Sequence, residues 1–202
     1  MARSPHAASL EGVAVLLFTV GYTVALYVYG TAVDSPLTNL YTGINIGLLV
    51  LFGLLHYWAR WPVYALWAAS LVGLGNMLGG VLLVDGQPLY VATLVGPLRY
   101  DKIFHAAASA AMVVVAWEAT KRWAGSGGRR GGLLLLTWLV VMGGGAVVEI
   151  AEFVGFTVAG GAVNVGDYGN NALDLVANAV GALVGVGVVY GVETLNPLSG
   201  HR

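Results

Sequence analysis

Cysteine is missing from this 202-residue chain, and charged residues are scarce. Without cysteine there is no disulfide, no thiolate ligand for a metal and no cysteine nucleophile. Charged residues make up 9% of the chain, whereas soluble domains usually carry about 25%. Hydrophobic residues make up 58%, and this composition predicts an integral membrane protein. Helices are the expected spanning element, because a helix satisfies the hydrogen bonds of its own backbone in lipid.

Several familiar functional signatures are missing as well. The sequence contains no nucleophile elbow, no P-loop and no HExxH motif. Internal repeats and paired broken helices, which mark many transporters, are not found either. The basic loop with Arg129 and Arg130 is typical of a cytoplasmic loop rather than of a nucleic-acid patch. The sequence therefore predicts no nucleic-acid partner and matches no standard reaction motif.

Apolar runs of spanning length predict six transmembrane helices within one transmembrane domain, residues 1–202. Their predicted bounds are residues 12–29, 40–58, 63–84, 101–123, 133–158 and 168–192. The first run is expected to be a retained span, because Glu11 stands where the apolar core of a signal peptide would begin. Residues 89–98 are apolar but too few to cross a bilayer, which predicts a re-entrant or interfacial segment. The predicted fold class is an all-α bundle in the cell membrane.

The distribution of lysine and arginine predicts that both termini are cytoplasmic. With the N-terminus inside, the basic residues on the cytoplasmic side are Arg3, Arg60, Lys121, Arg122, Arg129, Arg130 and Arg202. The outer side then holds only Arg99 and Lys102. Such an excess of positive charge inside is the usual pattern of multi-pass membrane proteins.

Polar side chains are concentrated in the last three predicted spans. In chain order they are Asp101, His105, Glu149, Glu152, Asp167, Asn171, Asp174 and Asn178. The last four follow at steps of four, three and four, which places them on one face of a helix. In the predicted orientation all eight reach the depth of the outer leaflet, where Asn45 and Asn76 of earlier spans also lie. Acids inside a membrane are costly and usually functional, so we predict an outward-facing polar pocket between spans 4, 5 and 6.

The same residues carry a resemblance to known membrane proteins. The pattern is DKxxH in span 4, ExxE in span 5 and DxxxNxxDxxxN in span 6. It resembles the VanZ-like family, and its ExxE form is similar to the YjdF-like inner-membrane proteins. VanZ-like proteins usually carry Gln where Glu152 stands and an Arg shortly before Asp167, but residues 164–166 contain no Arg. The resemblance therefore implies a related membrane protein without carrying over a role in binding an anionic glycopeptide or phosphate.

A divalent metal site is one chemistry that fits these residues. The predicted metal ligands, which would also be the catalytic residues, are His105, Glu149, Glu152 and Asp174. Oxygen-rich ligation with one imidazole suits Mg²⁺, Mn²⁺, Ca²⁺ or iron better than structural zinc. The residues predicted to bind a ligand around the ion are Asp101, Asp167, Asn171, Asn178 and Asn76. An ion with a bound water would hydrolyse a lipid or a lipid-linked ester or amide at the outer leaflet.

The sequence leaves two other functions open. His105 and the acids would also serve as a proton relay or as the site of a small proton- or cation-coupled transporter or channel. The third reading is structural, in which the same groups form hydrogen bonds that hold spans 4, 5 and 6 together, as in an accessory subunit. All three readings share the same residues, so only their arrangement in space distinguishes them.

Overall fold

A computed structural model describes residues 5–124, 129–158 and 168–195 of the chain. In these residues it contains six long helices. They are α1 (Pro5–Ala32), α2 (Thr38–Ala59), α3 (Val63–Val81), α4 (Tyr100–Ala124), α5 (Arg130–Val158) and α6 (Tyr168–Leu195). Each is long and apolar enough to cross a membrane. The predicted all-α class with six spanning helices is confirmed, and the cytoplasmic side of the termini stays a prediction.

The connection between α3 and α4 differs from its predicted form. It contains two short antiparallel hairpins, β1 (Leu83–Val84) with β2 (Gln87–Pro88) and β3 (Thr93–Val95) with β4 (Leu98–Arg99), separated by a 3₁₀ turn at Leu89–Val91. The α3 helix therefore ends at Val81 rather than near residue 84. The cause is the Asp85-Gly86 turn, whose two residues both have positive φ and close β1 onto β2. An interfacial position for residues 89–98 stays a prediction.

The chain divides into two compact units, residues 1–104 and 105–202. In the first unit, α1 and α2 both pack against α3. In the second unit, α5 packs along α6. The buried core of the second unit consists of Val113, Ala116, Trp117, Leu134, Val141, Ala182 and Val189. The organisation as a single domain stays a prediction.

A network of neutral polar side chains joins the three helices of the N-terminal unit. Asn45 of α2 is 2% exposed, and its Nδ2 donates to the Thr23 hydroxyl of α1 at 2.7 Å. The Tyr22 hydroxyl donates to the Ser70 carbonyl of α3 at 3.1 Å and lies 3.4 Å from Asn45 Oδ1. The Thr19 and Ser70 hydroxyls are 2.7 Å apart. Asn45 is therefore a cross-link between helices of this unit.

Aromatic rings fix the 3₁₀ turn onto α3 in the same unit. Tyr90 is 4% exposed, and its hydroxyl donates to Asn76 Oδ1 of α3 at 2.7 Å. The ring lies against Gly79, where a Cβ would overlap it, and its centroid is 5.7 Å from that of Tyr100. Asn76, which the sequence predicts as a ligand-binding residue, thus accepts a hydrogen bond that anchors the connection.

A buried imidazole and carboxylate cluster as the candidate functional site

The approach of α4 to α6 brings His105 close to the polar face of α6. A Cβ at Gly181 would overlap the backbone carbonyl of Ala106, and a Cβ at Gly185 would lie 2.6 Å from the carbonyl oxygen of Ala110. Small residues at such positions let helices in membranes pack with their backbones close together. Because Ala106 directly follows His105, this contact places the imidazole beside α6.

The imidazole of His105 lies between two buried carboxylates. Its Nδ1 is 3.3 Å from Glu149 Oε1 of α5, and its Nε2 is 3.8 Å from Asp174 Oδ1 of α6. The exposed fractions of the three residues are 7%, 3% and 0%. The helices α4, α5 and α6 therefore deliver three ionisable side chains to one buried place.

Asn178 connects the members of this cluster. Its Oδ1 accepts a hydrogen bond from the Ser109 hydroxyl at 2.8 Å and lies 3.3 Å from His105 Nδ1. Its Nδ2 donates to Glu149 Oε1 at 3.4 Å. Gly145 leaves room for this amide, since a Cβ there would lie 2.8 Å from Asn178 Nδ2. The Asn178 amide thus fixes the imidazole ring and the Glu149 carboxylate relative to each other.

Two further asparagines support the carboxylates. Asn171 Nδ2 donates to the backbone carbonyl of Glu149 at 2.6 Å, which ties α6 to α5 one turn before Asp174. Asn170 Nδ2 donates to Asp174 Oδ2 at 2.7 Å. Asn170 is not among the residues predicted from the sequence, although its spacing of four from Asp174 on a helix is a usable signal. Ser109, which the sequence places on one helical face with Asp101 and His105, is also outside the predicted set of ligands.

Of the other predicted site residues, Asp101 lies beside this cluster. Asp101 is 4% exposed in the first turn of α4 and forms an ion pair with Lys102 at 2.8 Å. It precedes His105 by one helical turn, and a carboxylate oxygen of Asp101 lies within 4.8 Å of a ring nitrogen of His105. Glu152 is half-buried, three residues after Glu149 on α5. Asp167 lies outside the described residues.

A second group of charged residues lies at the opposite end of the C-terminal unit. Lys121 Nζ is 2.7 Å from Glu118 Oε1 and 3.1 Å from Glu193 Oε1. Trp117 Nε1 also donates to Glu193 Oε1, at 3.0 Å. Glu118, whose position near a helix end predicts an ordinary boundary residue, thus belongs to an ion-paired group. In this group the acids pair with a lysine. The contacts of His105 described above are instead with two carboxylates and one amide.

The two ring nitrogens of His105 lie at different distances from their neighbouring oxygen atoms. These distances indicate which chemistry suits the cluster. Nδ1 is within hydrogen-bond distance of Glu149 and Asn178, which orients the ring. Nε2 faces Asp174 across 3.8 Å, which is longer than a hydrogen bond. An oriented imidazole whose other nitrogen faces a carboxylate is suited to holding a cation or to passing a proton.

One comparison with known proteins gives a match. The model of a family described as predicted membrane protein (DUF2238) matches residues 14–194, a range that includes the whole cluster. The multi-pass membrane location predicted from the sequence is confirmed by this match and by the six apolar helices. The YjdF-like resemblance is consistent with the match, since YjdF is assigned to that family, whereas the VanZ-like resemblance stays a prediction. Neither a curated protein nor a solved structure matches the chain.

Proposed function

The chain belongs to the DUF2238 family of predicted membrane proteins, and from that premise we propose that it binds a divalent metal ion with His105 and Asp174. The ion serves to bind or process a lipid or a lipid-linked molecule that reaches the site from the membrane. Membrane lipids are then its partners, and a lipid-linked small molecule is its substrate class.

The separation of His105 Nε2 from Asp174 Oδ1 carries the proposal. At 3.8 Å, these atoms are too far apart to share a strong hydrogen bond. Two ligands of one ion, each about 2.1 Å from it, fit this separation. His105 and Asp174 thus have the spacing of a ligand pair, and Asp101 lies one helical turn before His105 as a further donor.

The oxygen atoms near His105 Nδ1 support the same reading. Histidines that bind metals usually use their second nitrogen for a carboxylate or carbonyl, which fixes the ring and strengthens the ligand. Here Glu149 and Asn178 occupy that position. A divalent cation would also offset the charge of buried carboxylates, which are costly inside an apolar bundle.

The chemistry available to such a site follows from its ligands. A bound divalent ion polarises an ester, amide or phosphoryl oxygen and activates a water molecule. Carboxylate and imidazole ligands suit Mg²⁺, Mn²⁺, Ca²⁺, Fe²⁺ or Zn²⁺. The further proposed contacts for the ion or its substrate are Glu152 on α5, Asn171 on α6 and Asp167, which directly precedes α6 in the sequence.

Metal analysis of the purified protein tests the proposal. Wild-type protein in detergent, incubated in turn with Mg²⁺, Mn²⁺, Ca²⁺, Fe²⁺ or Zn²⁺ and desalted, should retain about one ion of at least one of these metals per chain. Asp174→Asn removes one ligand charge with little change of shape and should lose at least about 100-fold in metal affinity. Glu193→Gln, the same kind of change at the other end of the unit, is the matched control and should bind metal like the wild type.

The opposite outcome would be equally clear. If wild-type protein retains none of these ions, and none of them raises its unfolding temperature, the metal proposal is wrong. If metal binding is retained in Asp174→Asn but lost in Glu193→Gln, the ion binds at the opposite end of the C-terminal unit and the proposed ligands are wrong.

A proton relay is the second candidate, and one distance favours it. His105 Nδ1 is 3.3 Å from Glu149 Oε1, so the imidazole stands between one carboxylate in hydrogen-bond reach and a second on its far side. A proton moving from Glu149 to Asp174 would pass through this ring. Proteoliposomes with a pH-sensitive dye inside would then show a proton flux that needs His105 and is unchanged by chelators. Flux that is equal in His105→Gln and wild type would exclude the relay.

A further inference from the structure

Lys102 of α4 is a further charged residue beside the proposed metal site. Its Nζ lies 2.8 Å from Asp101 Oδ2. A carboxylate oxygen of Asp101 in turn lies within 4.8 Å of ligand atoms of His105 and Asp174. Asp101 therefore links the lysine to the cluster, and a positive charge that belongs to the protein lies next to the place proposed for the ion.

The position of Lys102 is unusual for a lysine. It is the third residue of α4, and the first turn of a helix disfavours positive charge because the N-terminal end of the helix dipole is itself positive. Residues next to each other on a helix do not face each other, so the lysine chain must fold back to reach Asp101. Only 16% of its side chain is exposed, although lysines near membrane surfaces usually extend their ammonium group into water. The ion pair thus holds the ammonium group near the cluster against these preferences.

The charges of the cluster indicate what this ammonium group contributes. Among the described residues, the buried carboxylates are those of Asp101, Glu149 and Asp174, which are 4%, 3% and 0% exposed. Together they carry three negative charges when ionised, and buried charges are costly unless opposite charges lie close to them. Lys102 supplies one positive charge, and an imidazole that binds a metal is neutral. The remaining two positive charges are those of a divalent ion.

We propose that Lys102 determines which ionic charge the site accepts. With Lys102 in place, a divalent ion neutralises the three carboxylates, whereas a monovalent ion leaves one negative charge and a trivalent ion adds one positive charge in excess. Lys102 also repels the ion, so its presence weakens binding while it favours divalent over trivalent ions. This inference rests on the proposed metal site, and it makes Lys102 a specificity-determining residue rather than a ligand.

Replacing Lys102 by an uncharged residue of similar length tests this role. In Lys102→Met the repulsion is lost, so the divalent ion that the wild type retains in the metal analysis, such as Mn²⁺, should bind about tenfold more tightly, equivalent to 1.4 kcal/mol. Because Coulomb energy scales with the charge of the ion, Tb³⁺ should bind about 30-fold more tightly. The preference for Tb³⁺ over the divalent ion should therefore rise about threefold. Isothermal titration of the purified protein in detergent measures both affinities.

Two other lysine variants serve as controls. Lys102→Arg keeps the positive charge and should keep the wild-type preference between the two ions. Lys121→Met removes a lysine near the other end of α4, where it pairs with Glu118 and Glu193, and should leave both affinities unchanged. Damage to the site would weaken the binding of both ions, so the gain expected for Lys102→Met distinguishes a charge effect from a structural one. Should Lys102→Met prove unfolded in a melting experiment, Lys102→Gln, which keeps a polar head group, replaces it.

Three results would overturn the inference while the metal site stands. The first is binding of the divalent ion that is equal to or weaker than that of the wild type in Lys102→Met. The second is a gain for the divalent ion without a change in its preference relative to Tb³⁺. The third is the same gain in Lys121→Met. If the wild type retains none of the divalent ions, the proposed metal site is itself wrong and the role of Lys102 is wrong with it, so the two failures are distinguishable.

Discussion

Each unit of this protein buries a polar network among three apolar helices, but the two networks differ in charge. The N-terminal network consists of hydroxyl and amide groups, centred on Asn45 and its contacts with Thr23 and Tyr22. The C-terminal cluster joins His105 to the carboxylates of Glu149 and Asp174. Asn45 and Asn178 play similar geometric roles, since each amide links side chains from neighbouring helices.

The difference between the two networks is one of electrostatic cost. Neutral groups that hydrogen-bond to each other stabilise a membrane bundle modestly, by about 0.6 kcal/mol per bond and at most about 1.7. Carboxylates are not needed for that purpose, and each costs about 2.5 kcal/mol or more at the centre of a membrane helix. The N-terminal network therefore has the properties of a clamp, whereas the C-terminal cluster contains charged groups whose cost is the reason for proposing a bound ion or a transferred proton.

The largest effect is expected from closing the space between α4 and α6. In Gly181→Leu the new side chain would overlap the Ala106 backbone, so the helices must separate and His105 must leave Asp174. We expect a loss of at least about 3 kcal/mol in unfolding free energy together with loss of metal binding. Thermal unfolding in detergent measures the first and metal analysis the second. Gly187→Leu on the same helix, where a Cβ meets nothing within 4 Å, should behave like the wild type, and equal damage from both would contradict this account.

A carboxylate placed in the neutral network tests the comparison directly. Asn45→Asp keeps the shape of the side chain but puts an acid among hydroxyl groups. We expect it to destabilise the protein by about 2.5 kcal/mol, the cost of an acid inside a membrane helix. Asn45→Ala, which only removes hydrogen bonds, should cost about 1 kcal/mol, and neither should alter metal binding. If Asn45→Asp is as stable as wild type, the N-terminal unit tolerates charge and the contrast between the two networks does not hold.

Removing the charge that orients His105 should weaken the proposed metal site without abolishing it. Glu149→Gln retains an oxygen near Nδ1 and should reduce metal affinity by about 10- to 100-fold, as for other groups that orient a ligand histidine. Isothermal titration with Mn²⁺ or Zn²⁺ in detergent gives this number. Glu118→Gln, an acid paired with Lys121, serves as the control. An affinity for Glu149→Gln equal to that of wild type would remove Glu149 from the site.

The smallest effect is expected at Ser109. Ser109→Ala removes one hydrogen bond to Asn178 Oδ1, which still lies near His105 Nδ1. We expect a loss of about 0.6 kcal/mol in unfolding free energy, visible as a small drop in melting temperature. Thr31→Val, at an exposed hydroxyl bonded to its own helix, should change stability less. A large drop for Ser109→Ala would mean that Asn178 depends on this hydroxyl for its position.

The sequence by itself determined the six apolar helices and the short list of polar residues. Both follow from one physical cause, because lipid accepts only backbone that is satisfied within its own segment and makes every buried charge costly. That is why a span was recognisable at residues 63–84, and why His105, Glu149 and Asp174 were recognisable as unusual. Contacts within one helix, such as that of Asn170 with Asp174, are also predictable from the spacing of four residues on a helix.

Only the tertiary structure decided how those residues are used. Hydropathy places Asn45, Asn76 and Asn178 alike, yet Asn45 cross-links hydroxyl groups, Asn76 anchors Tyr90 and Asn178 joins His105 to Glu149. The partner of each asparagine depends on which helices approach closely, as α4 and α6 do where Gly181 contacts Ala106. The distances between helices arise from packing between segments that are far apart in the chain. The spacing of residues along a single segment does not predict them.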